Sequence, residues 1–329
     1  MNALYPLKFK PQYKERIWGG KNLASLFRKS LPEGATIGES WELSTIEESS
    51  SIIQNGYLQD NDLQEIIPLY MGDLMGDQVY ERFGDELPLL FKWIDAEDVL
   101  SVQVHPDDET AKKRHAAYGK NEMWYIIDAQ KDSILYNGFN RDVSRAEFLQ
   151  RLEDGNLEDV LLEVPVQAGD VFYIPAGRIH AIGKGIVLAE IQQSSDVTYR
   201  VYDWNRKDAS GNARELHLEL ALDVIDYQKN KNTHSNYTPN WNKSVQVVKS
   251  PSFVTHFIQC NQAIERNYHF LDSFVVYFCL NGELSVECEG ESYPLAAGEC
   301  MLIPAEIKEL KLHPNGEAKL LEVYIPELV

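Results

Sequence analysis

The amino-acid sequence predicts a mainly β protein built from two β-barrels, with short helical additions on the N-terminal part. Short runs of β-branched and aromatic residues recur along the chain, bounded by glycine, proline, asparagine or aspartate, as is typical of strands. Helical patterns are confined to a few segments. A short segment that runs from glycine to proline occurs twice, which suggests that two related barrels are present.

The predicted strands combine high β propensity with turn residues at their ends. They cover residues 123–127, 171–174, 186–191, 274–280, 284–288 and 320–325. Apolar spacing predicts one or two helices within residues 63–83, a short charged helix within 108–118, and another helix within 214–225. Ser144 and Glu147 form a capping box, which predicts a helix near residues 144–154.

Residues 228–243 are polar and carry few apolar side chains, so they form the best candidate for a linker. We therefore predict a larger N-terminal domain, residues 1–240, which contains the helical additions. A smaller and almost purely β domain would follow, residues 241–329.

The repeated segment supports this division into two barrels. It reads GDVFYIP from Gly169 to Pro175 and GECMLIP from Gly298 to Pro304. In both copies a glycine and an acidic residue precede four mostly apolar residues and a proline. A turn that feeds a buried strand, which then ends at proline, is a plausible barrel unit.

The chain of 329 residues contains 51 acidic and 31 basic residues, which gives a formal charge of −20. This charge repels phosphate backbones and anionic membranes, so we expect no nucleic-acid or membrane partner. An anionic substrate would need a local cationic pocket. Composition indicates no particular oligomeric state.

The N-terminal segment lacks the apolar core of a signal peptide, and no apolar run reaches membrane-spanning length. The four cysteines, Cys260, Cys279, Cys288 and Cys300, form no CxxC pair. We expect reduced and mostly buried thiols in a cytoplasmic protein.

Four residues could converge on a metal ion. Gln103 and His105 lie two positions apart in a short strand, so their side chains point to the same face. Glu122 begins the next predicted strand, and His180 follows a strand and a tight glycine turn. Two imidazoles, one carboxylate and one amide oxygen suit Zn²⁺ with a position left open for substrate or water.

Several segments resemble type I phosphomannose isomerases of the short bacterial form, which belong to the cupin superfamily. Residues 169–180 are similar to the second cupin motif. The other segments that carry the resemblance lie at residues 37–44 (IGESWELS), 87–92 (LPLLFK), 100–108 (LSVQVHPDD), 119–124 (GKNEMW), 175–180 (PAGRIH), and at 190 and 195–203 (SDVTYRVYD). The C-terminal third is similar only in general cupin character.

The resemblance implies two cupin-like jelly-roll barrels and one Zn²⁺ per chain, held by His105, Glu122, His180 and Gln103. Of these ligands, Gln103 is the one that short members of the family may not use. The usual His-x-His of the first cupin motif is Gln-x-His here, and Glu122 lies further along, as is typical of this family. In the second barrel Glu306 replaces the glycine of the motif, so we expect no metal there.

The resemblance also implies isomerisation of mannose 6-phosphate to fructose 6-phosphate through an enediol. It places Lys120, Glu190 and Arg200 in the active site, and Ser101 and Arg206 near the substrate phosphate. Glu190 lies in an apolar strand, where burial would raise its pKa toward a value useful for proton transfer. Lys120 could instead serve the sugar oxygens during ring opening, so the general base is open between these two residues.

Each of these residues also has a structural interpretation. Glu190 could belong to a buried ion pair with an arginine, Arg206 could be a solvated loop charge, and Ser101 could be an ordinary strand serine. Trp18, Trp41 and Trp124 could wall a pocket, but we predict that they are core residues. The histidines outside the cluster are predicted to lie on the surface; they are His115, His217, His234, His256, His269 and His313.

Two other functions fit the same residues. Another cupin enzyme is the first alternative, such as a different sugar-phosphate isomerase or a metal-dependent oxygenase. The ligand set does not exclude an oxygenase, because the facial ligands of iron oxygenases are also histidine and carboxylate. A non-catalytic bicupin that binds sugars is the second alternative. It predicts that Lys120, Glu190 and Arg200 do not converge on the metal pocket.

Overall fold

A computed structural model of the chain describes residues 3–207 and 211–327. Strands account for 39% of the structure and helices for 16%, so the predicted mainly β class with few helices is confirmed. In these two ranges no helix is long and apolar enough to cross a membrane.

The helices are short and fall mostly in the first half of the chain. They are α1 (Asn22–Phe27), α2 (Leu63–Met75), α3 (Asp77–Phe83), α4 (Asp108–His115), α5 (Arg145–Glu153) and α6 (Leu218–Leu222), with a 3₁₀ turn at Leu157–Val160.

The strands follow one another along the whole chain. They are β1 (Leu7–Lys8), β2 (Gln12–Gly20), β3 (Ile37–Leu43), β4 (Leu89–Ala96), β5 (Val102–Val104), β6 (Glu122–Ala129), β7 (Ile134–Phe139), β8 (Leu161–Pro165), β9 (Val171–Ile174), β10 (His180–Ile182), β11 (Ile186–Gln193), β12 (Tyr199–Tyr202), β13 (Lys243–Lys249), β14 (Val254–Cys260), β15 (Ile264–Asn267), β16 (Val275–Asn281), β17 (Glu283–Cys288), β18 (Glu291–Ala296), β19 (Cys300–Ile303), β20 (Glu309–Pro314) and β21 (Ala318–Tyr324).

The predicted strands match β6, β9, β11, β16, β17 and β21 to within two residues at each end. The capping box is present, since the Ser144 side chain accepts a hydrogen bond from the Glu147 amide at the start of α5. The helix predicted at 214–225 is shorter, because residues before His217 run beside β12. There the Arg200 guanidinium donates to the Glu215 carbonyl and the His217 amide donates to the Arg200 carbonyl.

The strands form four sheets that are arranged as two pairs. The N-terminal sheet pair consists of a six-stranded sheet, β2-β3-β4-β11-β6-β9, and a five-stranded sheet, β12-β5-β10-β7-β8. The C-terminal sheet pair consists of a six-stranded sheet, β1-β19-β16-β21-β14-β13, and a four-stranded sheet, β15-β20-β17-β18. These strand orders are open over the described ranges, so closure into barrels stays a prediction.

Alternation along the strands explains how these layers pack. In β6, Trp124 and Ile126 join a core between the two N-terminal sheets, whereas Met123 and Tyr125 join a core on the opposite face. The second core contains residues of both six-stranded sheets, and Trp93 meets Phe278 there with ring centroids 4.2 Å apart. The two six-stranded sheets therefore pack against each other.

This packing joins the two predicted domains closely. Strand β1, near the N-terminus, pairs with β19 of the C-terminal sheet pair through Leu7 and Leu302. The domain boundary at residue 240 stays a prediction. The pairing of β1 with β19 joins strands from either side of it. The four cysteines lie in the C-terminal part and are buried free thiols, as predicted.

The repeated segment has the same strand register in both halves. Phe172 and Met301 are its fourth residues; Phe172 pairs with Trp124 of β6, and Met301 pairs with Tyr277 of β16. Strand β11 then follows β6 in the first sheet, as β21 follows β16 in the second. The two six-stranded sheets thus share a local order of strands, which agrees with an internal duplication.

Candidate metal centre and adjoining cavity

Three buried side chains meet between the N-terminal sheets: two begin strands β6 and β10, and the third directly follows β5. His105, Glu122 and His180 each offer a ligand atom, and these atoms all lie within 4.8 Å of one another. Nε2 of His180 is 3.1 Å from Oε1 of Glu122, and Nε2 of His105 is 3.5 Å from Oε2. The structure therefore brings together the three residues that were predicted from separate segments.

Strand pairing and one glycine turn set this geometry. His180, the first residue of β10, lies directly opposite Gln103 of β5, and His105 follows two residues later. Gly177 has a φ of +82°, which glycine adopts without steric cost, and its amide donates to the His105 carbonyl at 2.9 Å. The turn that presents His180 is thus tied to the backbone of the other histidine.

A hydrogen bond to a backbone carbonyl orients each imidazole. Nδ1 of His105 donates to the Val197 carbonyl at 3.0 Å, and Nδ1 of His180 donates to the Arg178 carbonyl at 2.8 Å. A backbone partner of this kind fixes the tautomer, so that the Nε2 lone pair faces the cluster. Metal-binding histidines typically have this arrangement.

The acceptor atoms at the centre are left without matched donors. His105 Nε2 and both carboxylate oxygens of Glu122 are buried and accept no well-aligned hydrogen bond from the described residues. Acceptors this close together, out of water, are unfavourable unless a cation lies among them. Two imidazoles with one carboxylate suit a divalent cation such as zinc, so these residues fit a metal ion.

Lys120 adds a positive charge at the edge of the cluster. Its Nζ is 3.1 Å from Oε2 of Glu122, and its side chain is buried. Burial alone would raise the pKa of Glu122, but Lys120 and the histidines lower that pKa well below its usual value. Burial and the Lys120 charge lower the pKa of His105, so this imidazole is neutral and able to bind metal.

A second glycine allows Lys120 to reach this position. A Cβ at Gly119 would lie 2.4 Å from the Asp108 amide nitrogen, so only glycine permits this approach. The Lys120 amide also donates to the Pro106 carbonyl. The segment before β6 is thereby held against the turn that follows His105.

Gln103 lies next to the cluster. Its amide nitrogen is 3.2 Å from Nε2 of His180. Rotation of the amide by 180° would present Oε1 at the same place, which is the orientation that a ligand requires. Gln103 is thus within reach of a metal held by the other three residues.

A cavity of about 600 Å³ adjoins the cluster and is open to solvent. Gln103 and Lys120 belong both to its wall and to the surroundings of the cluster. Six cationic and four acidic side chains line it: Lys14, Arg16, Lys92, Lys120, Arg200 and Arg214, against Glu15, Glu39, Glu190 and Asp196. This local cationic surplus contrasts with the chain's charge of −20 and meets the need of an anionic ligand.

Glu190 is buried on this wall and is held by two donors. Trp124 Nε1 donates to its Oε1 at 3.0 Å, and Lys92 Nζ is 2.7 Å from its Oε2. The ion pair considered from the sequence exists, but its partner is a lysine. Burial raises the pKa of Glu190, the charge of Glu122 adds to this effect, and Lys92 opposes it.

Glu39 stands on the other side of Lys92. Its carboxylate accepts from the Arg16 guanidinium and, at 2.7 Å, from Trp41 Nε1. Burial works against ionisation, yet Lys92 and Arg16 lower the pKa of Glu39 to about 2. Lys92 therefore lies between two carboxylates that are both close to the cavity.

The remaining predicted site residues lie at different distances from the cavity. Ser101 and Arg200 line it. Among the described residues Arg206 is not part of the lining: it donates to the Val99 carbonyl and is 2.6 Å from the Asp203 carboxylate. Arg214 lines the cavity and binds the same carboxylate, with Nε 2.7 Å from Oδ2.

Sequence reasoning did not select Lys92, Arg214 or Gln192 as site residues. Lys92 lies in the segment LPLLFK and pairs directly with Glu190 across β4 and β11. A lysine inside a long apolar strand is a signal in itself, because lysine is rarely buried without a partner. Arg214 and Gln192 carry no comparable sequence signal.

Trp18, Trp41 and Trp124 are buried, as predicted. Trp18 and Trp41 also contribute to the cavity wall, so core and pocket coincide for these two rings. His256 is only partly exposed and contacts Glu322, which differs from the surface position predicted for it.

Stacked sheets with two histidines and a glutamate converging beside a polar cavity define a metal-binding protein of the cupin class. Comparisons with known proteins identify the family. Residues 6–134 match the family description "Phosphomannose isomerase type I, catalytic domain", and residues 248–325 match "Mannose-6-phosphate isomerase, cupin domain".

Relatives of similar length show the same relationship. The chain is 37% identical to mannose-6-phosphate isomerase ManA of Bacillus subtilis, over 95% of this chain and 97% of that protein. It is 35% identical to a mannose-6-phosphate isomerase of Streptococcus mutans, over 96% and 97%. The crystal structure of mannose 6-phosphate isomerase from Bacillus subtilis superposes with a TM-score of 0.85 at 28% identity, covering 97% of this chain and 99% of that one. The chain belongs to the type I phosphomannose isomerase family and is an isomerase.

Proposed function

We propose that this chain interconverts mannose 6-phosphate and fructose 6-phosphate, with one Zn²⁺ bound by His105, Glu122, His180 and Gln103. The convergence of the histidine–glutamate cluster with a cavity of cationic surplus carries the proposal. Its relatives at 35% and 37% identity are named for the same reaction. The clustering of Lys120, Glu190 and Arg200 around this cavity favours an enzyme over a non-catalytic sugar-binding protein.

The metal, when bound, would act as a Lewis acid that stabilises negative charge developing on the sugar oxygens. The residues around it would orient the sugar and exclude water. Arg200 lines the cavity with a permanent positive charge, and its guanidinium is anchored through the Glu215 carbonyl at 2.8 Å. Arg200 pairs with Gln103 across β12 and β5, so it would hold a substrate oxygen beside that residue.

The proton moved between C1 and C2 needs a base on the cavity wall. Glu190 is our first candidate, because its carboxylate is buried and fixed by Trp124 and Lys92. Lys120 is the alternative, but its ammonium is held by Glu122. Lys92 would bind a sugar oxygen as an ammonium: burial lowers its pKa, but the charges of Glu190 and Glu39 outweigh burial and raise it.

The substrate phosphate needs a positively charged binding site at the open side of the cavity. We propose Arg214 together with Ser101, because both line the cavity. Arg206 would act through Asp203, whose carboxylate it shares with Arg214. The predicted catalytic domain, residues 1–240, contains all of these groups, and we expect the enzyme to act in the cytoplasm.

A coupled isomerase assay on a panel of hexose phosphates, with metal analysis of the same sample, tests this proposal. We expect turnover of mannose 6-phosphate, close to one zinc per chain, loss of activity with a chelator, and recovery with Zn²⁺. Oxygen-dependent turnover with bound iron would identify a different cupin enzyme. Activity that survives complete metal removal would refute the metal role.

A further inference from the structure

The C-terminal sheet pair contains a cavity of its own, with a volume of about 570 Å³. It opens between the six-stranded and four-stranded sheets, at strands β13, β14, β15 and β21. Its size lies within the range of small-molecule sites. Neither family description assigns a ligand to it.

The repeated strand register shows where this cavity lies. In the first sheet, Glu190 of β11 pairs with Lys92 on one side and Trp124 on the other. In the second sheet, Glu322 of β21 pairs with His256 on one side and Tyr277 on the other. Because Trp124 and Tyr277 are matched by the repeat, Glu322 occupies the place of Glu190, and the second cavity corresponds to the first.

The chemistry of the buried carboxylate differs. Glu322 accepts hydrogen bonds from Arg266 at 2.7 Å and 2.9 Å, from Tyr268 at 2.5 Å, and from Ser244 at 3.1 Å. Its oxygens are therefore occupied by protein donors. A carboxylate whose hydrogen-bonding capacity is fully used is held rigidly in the cavity wall and has no free lone pair to accept a proton.

The charges around the second cavity are balanced. Lys249 and Arg266 face Glu322 and Glu327 across the lining, two cations against two acids. The first cavity, in contrast, has a cationic surplus. Balanced charge gives no preference for an anion, so the second cavity suits a neutral ligand.

Polar groups without partners remain available on the wall. Nδ1 of His256 is buried and lacks a hydrogen-bond partner in the described part of the chain. Gln246 pairs with His256 across β13 and β14, and both side chains line the cavity. The Asn267 oxygen accepts from the His269 amide, which leaves the amide donors of Asn267 to a ligand.

Aromatic surface completes the site. The Tyr324 and His256 rings stack at 5.7 Å, with an interplanar angle of 24°. Phe270 also lines the cavity and is 94% exposed, the highest value among the exposed large apolar residues of the described chain. Flat apolar faces beside amide donors and acceptors suit a ring that carries hydroxyl groups on its edge and C–H groups on its face.

We propose that the C-terminal cavity is a second binding site, which takes a small neutral polyhydroxylated molecule of the size of one or two sugar rings. Gln246, Asn267 and His256 would bind hydroxyl groups, and Tyr324 and Phe270 would pack against the ring. The site is independent of the isomerase reaction, so its failure and that of the proposed function are distinguishable.

Histidine-observed NMR can test this second site in the intact protein. The metal-loaded protein, labelled with ¹³C at histidine Cε1, is titrated with methyl α-D-mannopyranoside, whose blocked anomeric carbon prevents isomerisation. We expect a saturable shift of the His256 signal, assigned with His256→Gln, with a dissociation constant in the millimolar range or below, about −4 kcal/mol or stronger. Parallel titration with inorganic phosphate should leave His256 unchanged.

Matched variants decide whether the response belongs to this cavity. Gln246→Leu and Phe270→Ala should each weaken binding at least fivefold. Gln262→Leu and Trp241→Ala, which alter a glutamine and an exposed aromatic residue outside the lining, should not. An unshifted His256 signal at roughly 100 mM glycoside, well above any millimolar constant, would overturn the proposal. Equal weakening in all four variants, or a response to phosphate in place of the glycoside, would do the same.

Discussion

Glu190 and Glu322 occupy corresponding positions in the two six-stranded sheets, but their surroundings differ. Glu190 is buried beside Lys92 at the wall of a cavity whose lining includes Gln103 and Lys120, two residues that contact the histidine–glutamate cluster. Glu322 is enclosed by Arg266, Tyr268 and Ser244, and no second group of potential metal ligands is found beside it in residues 3–207 and 211–327.

This difference separates what the strand register determines from what the neighbouring side chains determine. The shared register places a carboxylate inside each sheet pair, but the partner residues decide its use. Where the neighbours leave it facing an open cationic cavity, it can serve chemistry. Where arginine, tyrosine and serine donate hydrogen bonds to both of its oxygens, it stabilises the fold and shapes a pocket.

The largest expected effect comes from the metal ligands, which the N-terminal sheet pair supplies and the C-terminal pair, over its described residues, does not. His180→Ala and His105→Ala should each lose bound metal and lower kcat/KM by about a thousandfold or more, because charge stabilisation by the metal contributes several kcal/mol. Metal content per chain and turnover are measured on the same samples. His256→Ala, the control in the other sheet pair, should keep both values. Full metal occupancy in His105→Ala and His180→Ala would contradict the ligand assignment.

The two matched glutamates should respond in opposite ways. Glu190→Gln should lower kcat by about a hundredfold or more, the usual contribution of a general acid or base. It should cost less stability than Glu322→Gln does, because Lys92 keeps Glu39 as a nearby opposite charge. Glu322→Gln should leave kcat intact and lower the free energy of unfolding by about 3 kcal/mol, because Arg266 loses its ionic partner.

Steady-state kinetics and urea unfolding of both variants check this pair of results. Exchange of solvent deuterium into the sugar adds a specific readout, because a variant without its base loses exchange together with turnover. A full loss of exchange in Lys120→Met, with exchange retained in Glu190→Gln, would assign the base to Lys120.

Much of this contrast could be predicted from the sequence. Alternation in β5 indicated that Gln103 and His105 share one face, and the resemblance joined Glu122 and His180 to them. The repeat of Gly169–Pro175 at Gly298–Pro304 indicated two related sheets. These signals are local, because period-two alternation and turn glycines are written in a few consecutive residues.

The rest depends on contacts between distant segments. Lys92 meets Glu190 only because β4 pairs with β11, about a hundred residues apart in the chain. The sequence pointed to Arg206 and not to Arg214, yet Asp203 holds both and, of the two, Arg214 is the one that lines the cavity. The shortened α6 likewise follows from hydrogen bonds to β12 that no local propensity encodes.

Substrate affinity should depend on cations of the first cavity and not of the second. Arg214→Ala should raise KM for mannose 6-phosphate about tenfold, since a charge-assisted contact to phosphate contributes roughly 1.4 kcal/mol or more. Lys249→Ala, which removes a cation from the C-terminal cavity, should leave KM unchanged. Arg206→Ala should raise KM less than Arg214→Ala does. The reverse order of these two arginine variants would return the phosphate contact to Arg206.

The smallest expected effect is a pH dependence confined to the C-terminal sheet pair. Burial lowers the pKa of His256 below its usual 6.5, Glu322 opposes this, and Arg266 adds to it. The unfolded chain therefore binds a proton at a higher pH than the folded chain does. The stability that the neutral imidazole contributes is fully present above pH 6.5 and is lost as pH falls below that value.

Urea unfolding between pH 8 and pH 5 measures this effect. Compared with His256→Gln, the wild-type protein should lose more stability below pH 6.5, by at most about 1.4 kcal/mol per pH unit, the slope of one proton. His269→Gln is the control, because this imidazole is exposed and pairs only with the exposed Glu309. Parallel pH profiles for wild type and His256→Gln would show that His256 titrates alike in both states, and the buried nitrogen would then have solvent access that its surroundings do not indicate.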